Sequence, residues 1–296
     1  MEDPQHDSEP ARDGDLSRRD FVAVSVAAGL AASALPADAA LALGEAEVSV
    51  RTADGECDAL FVHPAAGTFP GVLLWPDAFG LRPALRDMAR RLAGEGYAVL
   101  VPNPFYRASR APQFESAANI DFQDPAFRAQ LTPLMRSVNA AGAAERDAAA
   151  YVAFLDAQAQ VARARKIGTQ GYCMGGPLVV RTAAAVPERI GAAASFHGGG
   201  LVTDAPDSPH LLAPRVRARM YFGIAANDDA RQPDAKDKLR AAFAAAKVPT
   251  EIEVYPARHG WCVPDMPKEA GAPIYSPADA ERAWSRLLAL YRTALA

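Results

Sequence analysis

From about Glu45 onward the chain alternates two incompatible hydrophobic periods, and that alternation restricts it to one fold class. Apolar runs rich in β-branched residues fall at 46–52, 57–63, 71–75, 97–102, 166–172, 192–196, 218–224 and 250–255. Between them the apolar residues recur at helical spacing. In 83–93, Leu85, Met88, Ala89 and Leu92 stand at i, i+3, i+4 and i+7. Helical patterns also fit 141–160, 177–186 and 234–246. A last helix is marked by Ser276 as N-cap, Pro277 as first helical residue and Asp279 three after the cap, with Ala280, Trp284, Leu287 and Tyr291 as its buried stripe. Strand and helix alternating at this spacing predict an α/β domain with a mostly parallel central sheet and helices on both faces.

One segment breaks the rhythm. Asn103 to Val138 is rich in Pro, Asn, Phe and Arg and weakly periodic. It reads as a cap or loop excursion, near 103–138, over the strand ends of a single domain spanning 40–296.

The first 39 residues read differently. Ser17-Arg18-Arg19-Asp20-Phe21-Val22 resembles the twin-arginine export signal, followed by a mildly apolar run to Leu35 and the small residues Ala37-Asp38-Ala39. The run is too short for a permanent membrane anchor. The expectation is a protein that meets the twin-arginine export machinery and works in the periplasm, with a cytoplasmic tail as the alternative. The segment before the arginines is acidic, where basic residues are usual. Eight of the 35 acidic groups and three of the 31 basic ones lie in these residues, so the remainder is close to neutral. That balance excludes a basic nucleic-acid footprint and a polybasic membrane patch. The three cysteines, Cys57, Cys173 and Cys262, form no CxxC pair, so a thiolate zinc site is not expected. A Cys57–Cys262 bridge stays open.

Gly171-Tyr172-Cys173-Met174-Gly175 has the form G-x-nucleophile-x-G, after an apolar strand and before a helix with Pro177 in its first turn. In an α/β-hydrolase fold this is the sharp strand-to-helix turn that raises the nucleophile above the sheet. A helix N-terminus there stabilises a thiolate. That fold orders its residues as nucleophile, acid, histidine. His259 follows the last strand in "YPARHGW", and "YFGIAANDD" supplies Asp228 or Asp229 after the preceding one. His197, in "SFHGGG", either lines the pocket or packs structurally. His63 and His210 have no such context, and the run Gly198-Gly199-Gly200 lacks the Lys-Ser/Thr pair of a phosphate cradle.

With "WPDAFGLRP", "YAVLVPNPFYR", "GYCMGG", "DAPDSPHLL", "ND" at 227–228 and "ARHGW" in this order, the chain resembles the dienelactone hydrolase family, from about Glu56 to Tyr291. The resemblance implies a Cys-His-Asp triad acting on lactones or small esters: Cys173 as nucleophile, Asp228 as acid in preference to Asp229, His259 as base. It implies acyl transfer to sulfur, an oxyanion held by the backbone N–H groups of Met174 and Ala78, and no metal or organic cofactor. Two departures accompany it. Asp77 stands where the family often carries a Glu that interacts with the thiol, so Asp77 is the candidate to modulate Cys173, or else a helix cap. No arginine follows His259 closely. Arg107, Arg110, Arg128 and Arg136 are the candidates to bind a substrate carboxylate, and a neutral ester or another lactone is equally open. A catalytically silent ligand-binding protein on the same fold and a thiol redox sensor are the competing readings.

Overall fold

A computed structural model describes residues 41–296, which form one unit. The twin-arginine signal expected over 1–39 lies outside the described residues. The sheet strands are β1 (Leu43–Thr52), β2 (Gly55–Pro64), β3 (Gly71–Trp75), β4 (Ala98–Pro102), β5 (Ile167–Tyr172), β6 (Ile190–Phe196), β7 (Arg219–Ala225) and β8 (Thr250–Tyr255). Each coincides with one of the apolar runs to within a few residues. The helices are α1 (Pro83–Gly94), α2 (Pro125–Val138), α3 (Ala143–Ala157), α4 (Gly175–Ala185), α5 (Ala226–Arg231), α6 (Ala235–Ala245) and α7 (Pro277–Ala294), with a 3₁₀ turn at Pro209–Arg215.

The eight strands pair in the order β1-β2-β4-β3-β5-β6-β7-β8. β1 and β2 run antiparallel, β2 meets β4 antiparallel, and every remaining pair is parallel. The central parallel strands are buried on both faces, which is why β3 and β4 read as continuous apolar runs rather than alternations. β3 shows the division. Leu73 and Trp75 enter the core built with α3, α4 and α6, while Val72 and Leu74 enter the opposite core, built with α1 and α7. Trp75 also donates its indole N–H to Thr182 of α4 at 3.0 Å, tying the end of β3 to that helix.

The excursion differs from a plain loop. Residues 125–138 form α2, with Asp124 as N-cap accepting from the Ala126 N–H at 2.9 Å and Pro125 in the first turn. Only Leu134 and Val138 of α2 are buried, and Pro133 interrupts its amide ladder, so its periodicity is weak although it is helical. The cap of α7 also differs in detail. Ser276 is the N-cap residue, but its hydroxyl donates to the Asp279 carboxylate at 2.8 Å instead of bonding a backbone amide. Ala280 is half-buried, and Ala283 and Leu288 join Trp284, Leu287 and Tyr291 in the buried stripe.

The inward and outward faces of α1 differ in what they contribute. Leu92 is fully buried, and Leu92→Ala is expected to cost about 2–5 kcal/mol. Arg90 pairs with Glu45 and Asp87 at the surface, and Arg90→Ala is expected to cost below about 1 kcal/mol. Denaturant midpoints at constant m-value check both.

Candidate active site

The C-terminal ends of β3, β5, β6, β7 and β8 lie along one edge of the sheet, the edge where open parallel sheets bind ligands. After them come Ala78, Cys173, His197, Asp228 and His259 in turn. Cys173 sits between the last residue of β5 and the first of α4 with φ of 51°, in the left-handed region. A side chain there is strained by about 1–3 kcal/mol, so surrounding contacts must hold it. Its N–H is shared between the Phe196 carbonyl and His197 Nδ1, each at 3.1 Å, and its carbonyl accepts from the Gly176 N–H at 3.0 Å.

The glycines around the thiol are required by space. A Cβ on Gly171 would lie 2.4 Å from the Gly175 carbonyl oxygen, and one on Gly175 would lie 2.6 Å from that of Trp75 and 2.8 Å from that of Pro76. On Gly176 a Cβ would meet Gly198 Cα at 2.4 Å and Ser195 Oγ at 2.6 Å. All are nearer than real Cβ contacts come, and most are to backbone. The turn is therefore wedged between β3 and β6, with its thiol at the N-terminal end of α4.

His259 is held from two sides by adjacent residues. Asn227 Oδ1 accepts from its backbone N–H at 2.8 Å, and Asp228 Oδ2 lies 2.6 Å from its Nδ1. Asp229 turns away to Lys236 Nζ at 2.7 Å, so of the two neighbouring carboxylates Asp228 reaches the imidazole. Burial disfavours charge on His259, but the Cys173 thiol on its other side and the Asp228 carboxylate outweigh it and push the pKa up to about 10. At neutral pH the imidazole therefore carries a proton.

His197 is buried, with φ of 40°, and does not line the cavity beside Cys173. Its ring packs against His259 and Trp261, with centroids 4.9 and 5.1 Å apart. Burial and the neighbouring His259 keep its pKa well below the usual histidine value, so it stays neutral with Nδ1 an acceptor for the Cys173 N–H.

Asp77 is placed differently from the expected thiol partner. Both its oxygens are taken by Arg82, at 2.7 and 3.0 Å, and one also accepts from the Phe79 N–H at 2.9 Å. Arg82, with no exposed surface, reaches on to Asp265 at 2.8 and 2.7 Å, and Asp265 accepts from the Ala117 N–H at 3.0 Å. This ion cluster links the loop after β3, the loop after His259 and the excursion. Sequence reasoning did not find Arg82, Asp265 or Asn227; the adjacency of Asn227 to Asp228 was the one signal available for the last.

Beside Cys173 opens a cavity of about 390 Å³ whose lining includes Ala78, Met135, Met174 and Leu178. Among the described residues, the N–H groups of Met174 and Ala78 meet no protein acceptor and remain available to a ligand oxygen. None of Arg107, Arg110, Arg128 and Arg136 lines this cavity; Arg107 is bound to Asp54 and Asp147 instead. Arg181, which sequence reasoning did not single out, does line it. All three cysteines are free thiols. Cys57 and Cys262 are buried in the cores on opposite faces of the sheet, which rules out a bridge between them in this fold. Burial pushes the Cys57 thiol up to about 12 and raises that of Cys262 as well.

The family model described as "Dienelactone hydrolase family" matches residues 57–295. A Methylorubrum extorquens protein whose name assigns it provisionally as a carboxymethylenebutenolidase is 29% identical over 291 residues, covering 94% of this chain and 93% of its own. The carboxymethylenebutenolidase of Rhodococcus opacus is 28% identical over 224 residues, covering 72% of this chain and 80% of its own. Among solved structures, one named m3DLH superposes with a TM-score of 0.71 at 26% identity, over 86% of this chain and 100% of that one.

Gly175→Ala forces a methyl group against the backbone of β3. It is expected to destabilise the fold by about 1–3 kcal/mol and to lower Cys173 alkylation by iodoacetamide. Thermal unfolding and the labelling rate check the two effects.

Proposed function

Because the chain belongs to the dienelactone hydrolase family, we propose that it hydrolyses a lactone or small carboxylic ester through a thioester on Cys173. The observation that carries this reading is the gathering of Cys173, Asp228 and His259 after successive strand ends, with Asp228 Oδ2 2.6 Å from His259 Nδ1. A cysteine attacks as thiolate, and the His259 imidazole is the acid–base partner such a sulfur requires.

The thiolate attacks the ester carbonyl carbon and the carbonyl electron pair moves to oxygen. The N–H groups of Met174 and Ala78, free of protein acceptors, are offered to that oxyanion. Collapse of the adduct expels the alkoxide, which takes the proton from His259 and leaves an acyl thioester. Water then gives a proton to the neutral imidazole and attacks the thioester, sulfur departs as thiolate, and the acid is released. Asp228 holds the Nδ1 proton throughout, which leaves Nε2 facing the reaction. His197 supports the nucleophile through its backbone, and Asp77 supports the loop of Ala78 through Arg82. The steps need only side chains, backbone amides and water.

Cys173→Ala is expected to abolish hydrolysis of p-nitrophenyl esters and of a dienelactone. Rapid-quench mass spectrometry of the wild type should find the acyl group on the peptide containing Cys173. Turnover surviving in Cys173→Ala rejects the mechanism.

The alkaline limb is the second test. The proton donated to the leaving group is lost as pH rises through about 10, so kcat/KM is expected to fall there. Asp228→Asn removes a charge that holds the imidazolium and should move this limb to lower pH, as read from full pH–rate profiles.

A further inference from the structure

We propose that the cavity beside Cys173 receives the acyl part of the substrate and selects an acyl chain that is uncharged and elongated. This deepens the hydrolase reading and rests on it. The orientation follows from the lining. Cys173, Met174 and Ala78 border the cavity, and His259 does not. The group that takes the proton from His259 must point toward that imidazole, so the acyl chain points the other way, into the cavity.

From the thiol the cavity runs along α4, past Pro177 and Leu178, to Arg181. At 1.5 Å per residue, Arg181 lies about 9 Å along the axis from Gly175, the first residue of the helix. Between the thiol and Arg181 the helix presents Pro177 and Leu178, and the polar side chains Asn139, Thr203 and Ser208 elsewhere in the lining carry no charge. A carboxylate close to the scissile carbonyl would therefore sit beside Pro177 and Leu178 with no cation to pair it, and burying an unpaired charge is costly.

Arg181 is the one cation among the described residues that line the cavity, and it is already matched. It donates to Glu145 Oε1 at 2.8 Å and to Asp207 Oδ2 and the Asp207 carbonyl at 2.8 and 3.0 Å. Two carboxylates face one guanidinium, so the far end of the cavity carries a net negative charge and repels an anionic acyl chain. Arg181 here holds α4 to α3 and to the loop that leads into the 3₁₀ turn.

The test compares two p-nitrophenyl esters of equal acyl length: the hexanoate, and the monoester of adipic acid, which adds a terminal carboxylate. The wild type is expected to favour the hexanoate in kcat/KM by at least about tenfold near neutral pH. In the combined variant Glu145→Gln, Asp207→Asn, which leaves Arg181 unmatched, that preference should narrow by about tenfold or reverse. A role confined to structure would lower both esters together. Equal or better turnover of the adipate ester by the wild type overturns the proposal while leaving the hydrolase reading standing. Absence of turnover with either ester overturns the hydrolase reading, and this inference with it.

Discussion

The architecture of the site depends on how closely three backbones approach at Gly171, Gly175 and Gly176. Here the strand that ends at Tyr172 turns into a helix while pressed against the ends of β3 and β6, and no side chain fits between. The close approach keeps Cys173 in its left-handed conformation and brings the loop of Ala78 next to the thiol. It also sets the start of α4, so that the helix dipole points at sulfur. Space rather than backbone freedom is what the glycines supply, since none of the three has positive φ and the strained residue is the cysteine itself.

A second level of organisation comes from Arg82. An unexposed guanidinium between two carboxylates is sustained only when its donors are matched, and Asp77 and Asp265 together supply four oxygens in good geometry. The cluster ties the loop offering the Ala78 amide to the segment beyond His259. Asp77 is thereby committed to orienting a loop, with both its oxygens on Arg82.

Much of this was legible in the sequence because burial writes a clear pattern. Strands covered on both faces read as apolar runs, so all eight strands of the sheet stand where those runs fall. Cys173, Asp228 and His259 could be ordered along the chain because each follows a strand. Three things were hidden for physical reasons. α2 buries too few side chains to show a period, and Pro133 disguises it further. The resemblance preferred Asp228 to Asp229, but what occupies Asp229, an ion pair to Lys236 at the start of the next helix, leaves no sequence mark. The Arg82–Asp265 pair joins residues 183 apart, and such a pairing exists only in three dimensions. The role of Asp77 was read by resemblance, and a neighbouring arginine redirects it.

The distribution of thiols has a chemical consequence. Cys57 and Cys262 are sealed in separate cores, one bonded to the Tyr151 hydroxyl at 3.2 Å, and Cys173 alone faces the cleft. An oxidant entering the cleft meets a single sulfur. The sulfenic acid formed there has no second thiol of its own chain to condense with, so the reversible halt at an internal disulfide is closed to it. Further oxidation leads to sulfinic and sulfonic acids that no longer attack carbonyl carbon. With Cys57 and Cys262 sealed away, a sulfenic acid on Cys173 is restored only by a thiol from outside the chain, which binds its recovery to the redox state of the surroundings.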